Sequence, residues 1–239
     1  MYILGISSAG KILEVALTCE ANILAQFSLS GETQRGENLV LYIDNVLKGI
    51  TNLEKISGLA VTTGPGSYGG LRGGLSLAKS IAHVYNIPII PVSTLEAIAY
   101  NLANIEGTIV VAISACKNDL NFALFGARQG SIKRLTDDFI LNKDVFINFV
   151  AGISGDIYFL GDSVISAEIA GAASPNVRIG DPLFSLPRAC NVARLGEEKL
   201  KRGGSQNFIT ALPRYSHAPN IREYKRKSPS SRRDPFGIG

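Results

Sequence analysis

Three apolar stretches at residues 2–8, 12–19 and 22–29 alternate or run in short blocks separated by Ala9-Gly10-Lys11 and Glu20-Ala21-Asn22, which predicts three strands in a meander. Leu39, Val40, Ile43, Val46, Leu47 and Ile50 then fall at i, i+1, i+4, i+7, i+8 and i+11, one apolar stripe of helical period. A strand at 59–63, a glycine-rich segment, a helix to about Tyr85 and a strand at 87–91 follow. Ser93 and Glu96 have the spacing of a capping box for a helix running to Asn104.

After Glu106-Gly107 the order starts again. Strands are predicted at 108–115, 120–127 and 131–136, a helix at 142–151, a strand at 157–161, a short helix at 164–170, a strand near Val177 and a last helix over 187–202. Residues 6–17 match residues 113–124 at a constant offset of 107, with Ile6/Ile113, Ser7/Ser114, Leu13/Leu120, Ala16/Ala123 and Leu17/Leu124 identical. Two successive β-β-β-α-β-α units predict an α/β fold. It consists of duplicated ribonuclease-H-like or actin-like halves, each a mixed sheet covered by helices. The expected division is 1–104, 105–219 and a tail over 220–239.

Composition adds charge to that picture. The formal net charge of +4 is confined to the tail, where Arg222, Lys225, Arg226, Lys227, Arg232 and Arg233 face only Glu223 and Asp234, while the rest of the chain carries equal numbers of acids and bases. Such a tail is expected to be disordered or extended, either as a solubilising segment or as a contact for RNA phosphates. No apolar run reaches the 18 or so residues that span a bilayer, and no basic n-region precedes the first apolar run, so a cytoplasmic protein with no membrane contact is expected. Cys19, Cys116 and Cys190 are scattered and form no metal or disulfide pattern.

Six of the eleven residues in Gly64-Pro65-Gly66-Ser67-Tyr68-Gly69-Gly70-Leu71-Arg72-Gly73-Gly74 are glycine, between a predicted strand and a predicted helix, where a phosphate loop would lie. A Walker loop is excluded, because Gly70-Leu71 stand where Lys and Ser/Thr are required. A dinucleotide fingerprint fails on its acid, since residues 65–95 contain no Asp or Glu to hold a ribose. Read as a helix, Gly66, Gly70, Gly74, Ala78 and Ala82 recur every fourth residue and form a smooth ridge. Each interior glycine costs a helix about 1 kcal/mol relative to alanine, which calls for a compensating close approach. That approach is either to this chain's own sheet or to a helix of another molecule. Ser67 is expected to cap the helix.

Catalytic groups are sparse. His83 and His217 are isolated, and no nucleophile elbow or Ser/His/Asp arrangement is present. The repeat places Ser7 and Ser114 at the two strand ends where actin-like phosphotransferases need a carboxylate for metal and phosphate. Asp119, Asp137, Asp138, Asp156 and Asp162 read as turn or surface residues.

The segments Ile3-Leu4-Gly5-Ile6-Ser7-Ser8, Gly58 through Lys79, and Ile87-Pro88-Ile89-Ile90-Pro91-Val92-Ser93-Thr94-Leu95-Glu96-Ala97 together resemble the TsaB/YeaZ family, as does Leu183 to Pro187 in the second half. The resemblance implies an actin-like, non-catalytic dimerisation subunit in tRNA threonylcarbamoyladenosine formation, acting on the adenosine beside the anticodon. Implied partners are a TsaD-like catalytic subunit and a TsaE-like ATPase, with tRNA reached indirectly or through the basic tail, and a homodimer as a further arrangement. ATP and a metal would be used by the complex, with no cofactor on this subunit alone. The family's interface through its first two helices maps onto Leu39, Tyr42, Ile43 and Val46 and onto Gly66, Gly70, Arg72, Gly74, Ala78, Lys79 and Ala82. The chain departs from the family pattern at Ser7-Ser8, at Arg35-Gly36-Glu37, at Gly69 and at Gly73. An actin-like ATP-dependent kinase or a glycoprotease-like hydrolase is the competing expectation.

Overall fold

The computed structural model describes residues 1–30, 38–171 and 176–216. Arg35-Gly36-Glu37, His217 and the basic tail over 220–239 lie outside the described residues. The meander forms as expected, with β1 (Tyr2–Ser7), β2 (Ile12–Cys19) and β3 (Asn22–Ser30), followed by α1 (Leu39–Leu47), β4 (Ile56–Gly64), α2 (Tyr68–Tyr85), β5 (Ile89–Ser93) and α3 (Thr94–Ala99). The second half runs β6 (Gly107–Ser114), β7 (Asp119–Arg128), β8 (Ser131–Arg134), β9 (Phe139–Asn142), α4 (Lys143–Ala151), β10 (Ile157–Gly161), α5 (Ser163–Gly171), β11 (Val177–Ile179) and α6 (Ala189–Lys201).

The duplication is visible in sheet order. The first sheet is β3-β2-β1-β4-β5 and the second is β11-β10-β6-β7-β8, the same arrangement with β6 in the place of β1. In each, the central strand pairs antiparallel with its hairpin partner and parallel with the strand that returns after a helix. Among the described residues β9 has no counterpart in the first half. It pairs with β7 at residues outside any predicted strand, where Phe139 packs on Phe122 with ring centroids 5.7 Å apart.

Helices and sheets stack in layers. α1 and α2 cover one face of the first sheet through Leu39, Tyr42, Ile43, Val46, Leu75 and Ala78, and α6 with part of α3 covers the other through Val192, Ala193, Leu195 and Ala97. Leu95, Ile98 and Ala99 of α3 pack on the second sheet, whose far face is closed by α4 and α5 through Phe146, Val150, Ile165 and Ile169.

Four expectations are corrected by this packing. Val40 is 61% exposed and Ile50 lies past the end of α1, because Gly49 turns the chain with φ of +76°. The fifth strand starts at Ile89 instead of Ile87, after Asn86 caps α2 in the left-handed region. The capping box at Ser93 does not form: Ser93 Oγ has no partner and Glu96 pairs with Lys199 of α6. Most consequentially, α6 returns to the first sheet, so residues 189–216, expected in the second half, pack on the first. Its approach is close because Gly5 faces the Ala189 carbonyl and Gly196 faces Ala60, leaving no room for a β-carbon at either glycine. Buried Glu14 of β2 anchors the start of α6, accepting from the Ala189 N–H at 2.9 Å and pairing with Arg188 at 3.1 Å. No helix among the described residues is long and apolar enough to cross a membrane.

Candidate partner-binding face

The glycine ridge is real but turned inward. Gly70, Gly74, Ala78 and Ala82 are all buried on the sheet side of α2. A β-carbon on Gly70 would overlap the Ser8 carbonyl oxygen, and one on Gly74 would overlap Ser8 Oγ. Close approach is thus made to the end of β1 in this same chain, the intramolecular alternative. Leu39, Tyr42, Ile43 and Val46 of α1 are likewise consumed by the core, with Tyr42 stacked on Phe27 at 4.4 Å. Of the residues mapped onto an interface, Arg72 is exposed and Lys79 is half-exposed. Gly66 is exposed, but the carbonyl of Ala9 fills the space beside it.

The same contacts show what the loop before α2 can hold. Ser67 caps the helix, its hydroxyl accepting from the Gly70 N–H at 3.4 Å, while its own N–H donates to the Ala9 carbonyl at 2.8 Å. Carbonyl oxygens of Ala9, Ser8 and Arg214 lie against Gly66, Gly70 and Gly64 in turn. A phosphate cradle needs free N–H groups converging on empty space. Here carbonyl oxygens of this chain stand beside three of the loop's glycines, and the Ser67 and Gly70 N–H groups are already engaged within the chain. Ser7 is fully buried and donates to the Pro187 carbonyl, and Ser8 N–H donates to Thr62 Oγ1 at 3.1 Å.

What α2 presents outward is a second line of small residues that periodicity alone did not single out: Gly69, Gly73, Ser76 and Ser80 at i, i+4, i+7 and i+11. Nothing lies within 4 Å of a β-carbon placed on Gly69. The sequence signal for this face was the pair of departures at Gly69 and Gly73, one helical step from the buried ridge. Between α2 and α1 runs a groove of about 490 Å³ lined by Val40, Asp44, Leu47, Leu77, Ile81 and Tyr85.

The segment after α6 completes the neighbourhood. Gln206 exchanges two backbone hydrogen bonds with Ile89 at the edge of the first sheet, Phe208 packs on His83 at 4.6 Å, and Ala211 is fully buried. The Arg214 N–H donates to the Thr63 carbonyl at 2.6 Å, which seats the segment over the end of β4. Tyr215 reaches Tyr68, ring centroids 4.9 Å apart. Burial, reinforced by the charge of Glu14, pushes the Cys190 thiol above its ordinary pKa, so it stays protonated at neutral pH and is a poor nucleophile.

A family model described as TsaD, tRNA N6-adenosine threonylcarbamoyltransferase, matches residues 23–147. The tRNA threonylcarbamoyladenosine biosynthesis protein TsaB of Bacillus subtilis (strain 168) is 26% identical over 202 residues, 83% of this chain and 88% of that protein. TsaB of Escherichia coli (strain K12) is 30% identical over 134 residues, 55% of this chain and 58% of that protein. In fold the chain is similar to YeaZ from Pseudomonas aeruginosa, with a TM-score of 0.76 at 18% identity, over 90% of this chain and 99% of that one.

Proposed function

Because the chain belongs to the TsaD family of tRNA N6-adenosine threonylcarbamoyltransferase and stands among its TsaB/YeaZ-like members in tRNA threonylcarbamoyladenosine biosynthesis, we propose that it acts there as a non-catalytic docking subunit for a TsaD-like catalytic subunit. The observation that carries this reading is the outer face of α2. Four positions along one outward line of α2, Gly69, Gly73, Ser76 and Ser80, carry no side chain longer than a hydroxymethyl, beside an apolar groove shared with α1.

A helix from a partner can approach such a face more closely than one lined by leucine, since interaxial distance follows side-chain size. Val40 and Leu77 then supply apolar area in the groove, and Arg72 and Lys79 sit at the rim, where charges act on association rate and specificity. The filled glycine loop and the fully buried Ser7 support a subunit that performs no phosphoryl chemistry itself. ATP and metal chemistry is assigned to the TsaD-like and TsaE-like partners.

The test is co-purification with a TsaD-like subunit using Gly73→Leu and Ser76→Arg. Both positions face away from the core, so thermal stability should stay near that of the parent while affinity falls at least about tenfold, a loss of about 1.4 kcal/mol. Threonylcarbamoyl transfer should require both subunits. A complex that survives both substitutions overturns this interface, and metal-dependent ATP binding by the isolated chain in calorimetry overturns the non-catalytic reading.

A further inference from the structure

We propose that Tyr68, Tyr215, Arg72 and Arg214 form a contact site for unpaired RNA at the root of the basic tail, the tyrosines stacking a base and the arginines meeting phosphate. This deepens the tRNA reading above and rests on it for the choice of RNA, while its evidence, apart from Arg72 at the rim of both, is separate from the docking face.

Tyr68 is the first residue of α2 and Tyr215 belongs to the segment laid across the end of β4. They are 43% and 37% exposed and lie against each other at 39° between ring planes. Two large rings held in solvent are not explained by the core. Arg72 packs on Tyr68 as well, its guanidinium carbon 5.3 Å from the ring centroid and its Nη1 donating to the phenol oxygen at 3.2 Å. The backbone bond from Arg214 to Thr63 fixes the position of Tyr215, so the aromatic pair is preorganised. Burial and the neighbouring Tyr68 raise the Tyr215 hydroxyl pKa, with Arg72 opposing them in part, so the ring is a neutral phenol at physiological pH and does not repel phosphate.

Charge points the same way. Arg214 and Tyr215 line the adjacent cleft together with Asp137 and Asp138, and Asp138 is paired with Arg134. The sequence beyond Ser216 then holds the whole net positive charge of the chain, with six Lys and Arg residues after Asn220. Exposed aromatic faces, stacked arginine and a net cationic segment are the elements by which proteins hold unstacked bases. Paired A-form RNA would offer phosphates but no open base face, which selects a loop over a stem.

Fluorescence anisotropy with an unmodified anticodon stem-loop RNA, on the full chain and on its complex with the TsaD-like subunit, tests the site. Tyr215→Ala should weaken RNA binding about tenfold, within the range for removal of one base-stacking partner, and leave the slope of log K against log salt unchanged. Tyr215→Phe, which keeps the ring, should bind like the parent. Ending the chain after Ser216 should instead flatten the salt slope by about 0.7 for each phosphate that the tail had neutralised. Absence of RNA binding by both the full chain and the complex overturns the proposal, as does Tyr215→Ala binding like the parent. Loss of the TsaD-like subunit in place of RNA upon Tyr215→Ala would reassign the cluster to the protein interface and likewise overturn it. Failure of the Gly73 and Ser76 test leaves this result unaffected, so the two readings fail separately.

Discussion

Gly70→Ala is expected to destabilise the protein by about 2 kcal/mol, while Gly69→Ala, one residue earlier in the same helix, should stabilise it by up to about 1 kcal/mol. At Gly70 the added methyl overlaps a backbone carbonyl, that of Ser8, which is locked between β1 and the Thr62 hydroxyl and cannot swing away as a side chain tip could. Overpacking of this kind costs about 3 kcal/mol, against about 1 kcal/mol returned by better helix propensity. At Gly69 the methyl meets nothing and only the propensity gain remains. Denaturant midpoints at constant slope measure both. Equal signs for the two substitutions would contradict the rotational setting of α2, and with it the identity of the outward face. Gly74→Leu should be more damaging still, which makes it a stability variant and unsuitable as a docking probe.

The second large effect is expected at Gly196. Its missing side chain brings α6 against Ala60 of β4, and the same packed layer holds Ile3, Ile90, Val92, Val192 and Leu195. Gly196→Leu cannot be absorbed by a rotamer change, because the clash begins at the β-carbon. The helix must lift from the sheet, exposing part of that layer at a cost of about 3 kcal/mol or more. A change of this size lowers the melting temperature by roughly 6–12 °C in a chain of this length. Since α6 also carries the segment that seats Arg214 and Tyr215, limited proteolysis after Lys201 should accelerate in parallel. A variant that melts like the parent would show that α6 is not held at the distance seen.

The glycine helix shows how far periodicity reaches. Spacing identified a smooth ridge and required a close neighbour for it, and the structure supplies that neighbour in Ser8 and Ala9. Spacing could not say which molecule the neighbour belongs to. A 3.6-residue period gives the relative angles of side chains around α2 but not the rotation of the whole set about its axis. Gly66-Gly70-Gly74 and Gly69-Gly73 are one step apart around the helix, and only packing on the sheet sets which of them lies inside. The same limit explains Val40, which fits the stripe of α1 by period and lies on its open side.

Segments distant in sequence were less legible. Nothing near residue 68 announces Tyr215, and the cluster exists only because Gln206, Phe208 and Ala211 dock the post-α6 segment along the first sheet. The unmade capping box at Ser93 has a related origin: Glu96 gains more from Lys199 across the α3–α6 contact than from the local backbone.

The sequence by itself determined the strand meanders, the duplicated order of elements, the family and the presence of a glycine-lined helix that demands tight packing. These follow from local periodicity, turn chemistry and motif spacing. Only the tertiary structure decided that the glycines of the ridge serve this chain's own core, that α6 crosses back to the first sheet and that the line through Gly69, Gly73, Ser76 and Ser80 faces outward. Those outcomes depend on which surfaces meet, a property of non-local packing that local spacing does not encode.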